Sequence, residues 1–298
     1  MLISRGRRET LAVTIMAALT TGVVLLFAAL AFTLLFKTQP ILSAVGPLDL
    51  LFGDRWSPMR GDFGLLPFLL GTFWVTLTAL GIALPFGLFT AIHLSEFADH
   101  RVRAFAKPGL DLLAGIPSVV VGAWGVLVIV PFVRDTLAPA VGATTTGYCV
   151  LSGGIVLALM VIPLIVSISE EVMRAVPADL RTASLALGAT RWQTTRRIVL
   201  RAALPGILAA VILGFARAFG ETMAVMMVVG NVARAPSSLF DPAYPLPALI
   251  ANNYGEMMSI PGYDSALMAA ALALLVVVAG FSMGSHLVLE KVRRRWAF

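Results

Sequence analysis

The chain has 298 residues, 59% of them hydrophobic and only 13% charged, with a formal net charge of +6. That balance excludes an ordinary soluble domain and makes lipid the natural solvent. The excess of Lys and Arg fits loops facing an anionic leaflet, not nucleic acid, because no soluble basic domain exists to carry one.

Cys149 is the only cysteine, so internal disulfides and a cysteine-rich metal site are ruled out. His93, His100 and His286 lie far apart without ligand spacing. The expectation is a chain with no metal and no cofactor of its own.

A helix needs about 20 apolar residues to cross a hydrocarbon core of about 30 Å. The first stretch that qualifies, Thr10 to Phe36, follows Arg5, Arg7 and Arg8 and exceeds a signal core of about 7 to 15 residues, so it reads as a retained span. The segment from Lys37 to Leu66 is then too long for a simple link. Its Asp54, Arg55, Trp56, Arg60 and Asp62 form a mixture suited to a polar, transient interface with an external partner. A turn-rich cover over the bundle mouth is the competing reading.

The second span is predicted over Pro67 to Leu94 and the third over Leu110 to Val133. Gly115-Ile116-Pro117-Ser118 interrupts the third, because proline cannot donate a backbone hydrogen bond and strains the turn before it. Broken membrane helices can point N–H groups and a hydroxyl at an anion, which makes Ser118 a candidate donor; a packing kink is the alternative. The fourth span is predicted over Gly147 to Ser169.

The connection over residues 170–201 carries the most pattern. Pro177 suits a first helical turn, Leu180, Ala183 and Leu187 recur at helical spacing, and Gly188 supplies a stop before a basic helix beginning near Thr190. Two readings are open from pattern alone: a helix lying on the membrane surface, or one docking into a groove of a soluble partner.

The fifth span, Ala203 to Gly230, contains Arg217 and Glu221, the only ionisable side chains well inside a predicted span. An isolated charge at mid-membrane costs at least about 2.5–3.5 kcal/mol, so such groups face a bundle interior or find a partner. Four residues apart, they are expected on one helix face. One account is a mutually satisfied ion pair. The other is a guanidinium that meets an anion in transit, its planar fork donating to two oxygens, with the carboxylate tempering its affinity.

A proline-rich segment, Asn231 to Asp264, precedes the sixth span, Ser265 to Leu289. With the N-terminus inside, inner segments carry 16 basic residues and outer segments five, which predicts that both termini are cytoplasmic. The fold class expected is all-α: a polytopic membrane protein with six transmembrane helices, in one domain over residues 1–298.

Thr182-Ala183-Ser184, Gly188 and Ile198-Val199-Leu200 resemble the cytoplasmic loop of ATP-binding-cassette importer permeases. That family usually opens the loop with Glu where this chain has Thr182 and closes it with Pro where it has Arg201, although Pro205 follows. Gly115-Ile116-Pro117-Ser118-Val119-Val120-Val121-Gly122, Arg217-Ala218-Phe219-Gly220-Glu221-Thr222-Met223-Ala224-Val225, Gly230-Asn231 and Ser238-Leu239-Phe240-Asp241 are similar, in order, to the PstC family of phosphate-importer permease subunits. Glu-Thr-Met-Ala-Val separates it from the PstA family, whose segment commonly runs Glu-Thr-Ala-Pro.

The resemblance implies a type I importer (MetI-like) fold with its core over residues 64–298, in a bacterial inner membrane. It also implies a PstA-like partner permease, a PstB-like ATPase dimer that carries the ATP and Mg, and an external PstS-like phosphate-binding protein. Arg217 and Glu221 occupy motif positions that carry Arg and Glu in those permeases. Pro177, Leu180, Thr182, Ala183, Ser184, Leu187 and Gly188 fall on the coupling helix that seats in the ATPase. No Gly-x-x-x-x-Gly-Lys-Ser/Thr loop is present, and no nucleophile, base and metal cluster suggests an enzyme. A permease for sulfate or molybdate, or an ion-coupled secondary transporter, stays open as an alternative.

Overall fold

The computed structural model describes residues 2–256 and 260–296; the side chains of Arg5, Arg7, Arg8, His286 and Arg293 to Arg295 lie outside what is described. Among the described residues six helices are long and apolar enough to cross a membrane. The first, α1 (Leu2–Val45), is followed by α2 (Pro47–Phe52) and a two-stranded hairpin, β1 (Trp56–Ser57) and β2 (Asp62–Phe63). The second span is α3 (Leu66–Ile92), which closes in a π turn over His93–Phe97.

The third span departs from the sequence expectation. Helix α4 (His100–Gly115) ends before Ile116 and Pro117, both extended, and a new helix, α5 (Ser118–Trp124), begins. It continues through α6 (Val130–Phe132) and α7 (Ala138–Ala140) with a π turn before each, so the span runs Ser118–Ala140, not 110–133. Pro117 disfavours the helical conformation of the residue before it and, unlike Pro85, Pro163 and Pro205 inside their helices, it stands at the head of a new helix.

Helix α8 (Val150–Arg174) is the central fourth span. The connection over residues 170–201 folds as α9 (Ala178–Ala186), a turn at Gly188 with φ +82°, and α10 (Arg191–Thr194). A capping box opens α10: Gln193 N–H donates to the Thr190 hydroxyl oxygen, and Thr190 N–H to the Gln193 side chain. A π turn leads into α11 (Leu200–Gly220). The fifth span then breaks at Glu221 and Thr222 before α12 (Met223–Val228), where one continuous helix was expected. Helices α13 (Leu246–Asn253) and α14 (Tyr263–Trp296) complete the chain.

Glycines let the central helices approach closely. A Cβ on Gly154 of α8 would collide with Thr78 of α3, and one on Gly206 of α11 with Val172 of α8. Small residues at such crossings are how membrane helices gain packing without a hydrophobic driving force between them. At one end of the bundle an apolar knot gathers Ile41, Phe63, Phe68, Leu249 and Tyr263. At the other, Leu94, Met173, Val176 and Val199 pack together. Helix α1 packs mainly on α14, and most of its apolar surface is exposed.

Candidate translocation site and coupling surface

Two broken spans meet at matching level. The parallel contact of α5 with α12 is close enough that a Cβ on Gly122 would lie 3.0 Å from Ala224 Cα, and one on Gly125 3.0 Å from a Val228 methyl. The helices that follow the two breaks, at 116–117 and at 221–222, therefore pack on each other near their starts. Ser118, half-buried, opens α5.

Arg217 and Glu221 do not share a helix face. Helix α11 stops at Gly220, and Glu221 is extended, with φ −70° and ψ 130°. The carboxylate lines a small cleft with Thr72, Thr76, Leu157 and Pro245, where Ala224 N–H approaches it at 3.5 Å. Arg217 is exposed on the side of α11 that also shows Leu213, and among the described residues it has no hydrogen bond or ion pair. The mutually satisfied pair is therefore not what the fold builds.

The Gly230-Asn231 and Ser238-to-Asp241 motifs are structural. Gly230 has φ +93° and Asn231 φ +51°, and the Asn231 amide donates to Met226 O at 2.8 Å, turning the chain after α12. Asp241 collects Ser237 N–H, the Ser237 hydroxyl and Ser238 N–H on one carboxylate oxygen at 2.6–3.0 Å, which holds its carboxyl below the usual carboxylate range. The loop then offers Asp241 O and Leu239 O to Val150 N–H and Leu151 N–H, satisfying the orphan donors at the start of α8.

The hairpin separates the residues once grouped there. Trp56 turns inward, edge-on to Phe63 and Phe68 with centroids 5.6 and 5.1 Å away, and belongs to the knot, not to a landing surface. Asp54, Arg55, Arg60 and Asp62 are exposed.

On the connection between the fourth and fifth spans Pro177, Leu180, Thr182, Ala183, Leu187 and Gly188 are all exposed, Leu187 to 89%. Ser184 turns inward, its hydroxyl 2.9 Å from that of Thr194. Arg181, counted in the sequence only as an inner positive charge, forks onto Glu96 at 2.9 and 3.2 Å. A second cluster sets Arg103 and Arg174 at 3.8 and 3.4 Å from Glu170. These pairings join residues up to 85 positions apart, and single-sequence periodicity gives no sign of them.

The sequence model of the family described as "Binding-protein-dependent transport system inner membrane component" matches residues 83–295. The chain is 34% identical to the "Phosphate transport system permease protein PstC" of Xylella fastidiosa (strain 9a5c), covering 91% of this chain and 90% of that one. It is 41% identical to the "Probable ABC transporter permease protein YqgH" of Bacillus subtilis (strain 168), covering 80% and 76%. In fold it is similar to the inward-facing MetNI methionine ABC transporter (TM-score 0.55, 21% identity, 77% and 94% covered). It is similar too to a bacterial ABC transporter that imports alginate (TM-score 0.56, 16% identity, 90% and 95% covered). With six spans, a type I importer permease fold and these relatives, the protein is a multi-pass membrane transport subunit, and it belongs to the family of inner-membrane components of binding-protein-dependent transport systems.

Proposed function

We propose that this chain is the permease subunit of an ATP-driven importer that moves inorganic phosphate inward by alternating access, and that Arg217 is its anion contact. One observation carries the reading: an unpartnered guanidinium lies exposed on a membrane span, one turn from where two broken helices meet. Lipid cannot satisfy it, so that face of α11 belongs against a second permease subunit of PstA type and the path between them. Phosphate suits the planar fork, and Ser118 adds a hydroxyl across the break. Glu221, in the break and lining the cleft beside Thr72 and Thr76, limits how tightly an anion is held.

The remaining parts follow. The exposed face of α9 from Pro177 to Gly188 receives a PstB-type ATPase dimer, which holds the ATP and Mg; this chain takes no cofactor. Both termini are cytoplasmic. The exposed charges at 54, 55, 60 and 62 receive a soluble phosphate-binding protein of PstS type.

The test is labelled phosphate uptake normalised to assembled complex. Arg217→Ala and the Arg217→Ala, Glu221→Ala double variant should assemble and fail to transport, while Arg217→Lys recovers part of the rate by keeping charge without the fork. Near-normal uptake by the double variant would overturn the assignment. Competition by sulfate at the same concentration as phosphate would overturn the substrate.

A further inference from the structure

Three arginines from three elements converge on the end of the second span. The π turn His93–Phe97 leaves terminal carbonyls that its own helix cannot satisfy. Arg103 of α4 donates to Leu94 O at 2.7 and 2.9 Å and to Ser95 O at 3.2 Å. Arg191, at the start of α10, donates to Glu96 O at 3.0 Å and lies 5.7 Å above the Phe97 ring. Arg181 of α9 grips the Glu96 carboxylate with two N–H groups and donates to Met173 O at 2.8 Å and to Val176 O, capping the end of α8 with the same guanidinium. The Ser95 hydroxyl completes the carboxylate's shell at 2.9 Å.

Helix α9 has no buried residue, so whatever pushes on its exposed face reaches the bundle through few attachments. The chain itself joins α9 to α8 and α10, and Ser184 adds a tie to Thr194. Toward α3 the chain offers only the long way round, through α4 to α8. Among the described residues the Arg181–Glu96 fork is the one hydrogen-bonded or ionic tie from α9 to the second span. With Glu96 only 9% and Arg181 22% exposed, the fork is shielded enough to hold its geometry.

We infer that Glu96 and Arg181 are a positioning pair that transmits movement of α9 to the second span, so that ATP hydrolysis and opening of the path stay coupled. The inference rests on the reading that α9 receives the ATPase.

The experiment uses the full complex of this chain, its partner permease and the ATPase dimer in liposomes, and reads bound ATPase and ATP hydrolysed per phosphate imported. Glu96→Gln and Arg181→Lys should keep wild-type ATPase content while that ratio rises at least about fivefold, the low end of ordinary coupling between sites. In a Glu96→Cys, Arg181→Cys variant, a bifunctional thiol linker should bring the ratio back toward wild type; Cys149 is buried and does not compete. An unchanged ratio in both single variants, or no recovery with the linker, would overturn the inference. Loss of the ATPase from Glu96→Gln would overturn it too, since the pair would then only shape the docking surface. Retention of the ATPase by Leu187→Glu would instead overturn the docking reading, whatever the ratio does.

Discussion

At the scale of single residues, the two glycines that bracket the Ile116-Pro117-Ser118 break have opposite jobs. Around Gly115 there is open space, whereas a Cβ on Gly122 would meet Met227 Sδ at 2.8 Å and Ala224 Cα at 3.0 Å. The methionine can move aside but the backbone of α12 cannot, so Gly122→Ala forces the two broken spans apart. It is expected to cost about 1–3 kcal/mol of stability, the usual penalty of overpacking, against about 0.5 kcal/mol or less for Gly115→Ala. Thermal denaturation of the two purified variants checks this, and the order of the two midpoints is the decisive reading. Sequence alone marked both glycines as one motif, because spacing shows where a chain breaks and not what approaches the break. The same limit explains Arg217 and Glu221. Hydropathy put both in one apolar run, but a shared face assumed an unbroken helix, and no proline or positive-φ glycine announces the break at Glu221.

Among the elements, the connection over residues 170–201 was legible from its residues, since Pro177, Gly188 and Thr190 each act through local backbone chemistry that short-range pattern captures. Removing the capping box by Thr190→Ala should cost about 1 kcal/mol. That is too little to unfold the chain, and it should appear as faster amide exchange over residues 190–194 with the exchange of α8 unchanged. Replacing Leu187 with Glu leaves the fold intact, because its side chain touches little, and should release the ATPase, as pull-down from detergent-solubilised membranes would show. The loop that caps α8 has its own signature. The Asp241 carboxyl is held below its ordinary value by donors that need the anion, so its stabilisation is complete above about pH 4 and is lost as pH falls through the depressed folded value. Exchange at Val150 and Leu151 should therefore rise only in strong acid, and Asp241→Asn should abolish that acid step. The third span shows where pattern failed. The interruption at Pro117 was legible, but the apolar residues on both sides of it hid that the span begins there and does not merely kink, and hydropathy windows cannot place a start within such a run.

For the whole molecule, the proposed orientation with both termini inside sets residues 54–62 on the outer face. Crosslinks from cysteines at 54, 60 and 62 to an externally added phosphate-binding protein should form, whereas Trp56→Ala should destabilise the fold by about 2–3 kcal/mol, because it removes a partly buried ring from the aromatic knot. Labelling of those positions from the cytoplasmic side alone would invert the topology. The knot and the arginine-capped turn stand at opposite ends of the same bundle, and they are held by different forces. Rings packed on rings are indifferent to dissolved ions, while guanidinium and carboxylate groups near an aqueous boundary are screened within about 10 Å at 0.1 M salt. Ionic strength is thus a lever with one working end. Raising it should loosen the more exposed Arg174–Glu170 contact at the arginine-capped end, while the shielded Arg181–Glu96 fork and the far aromatic rim stay firm.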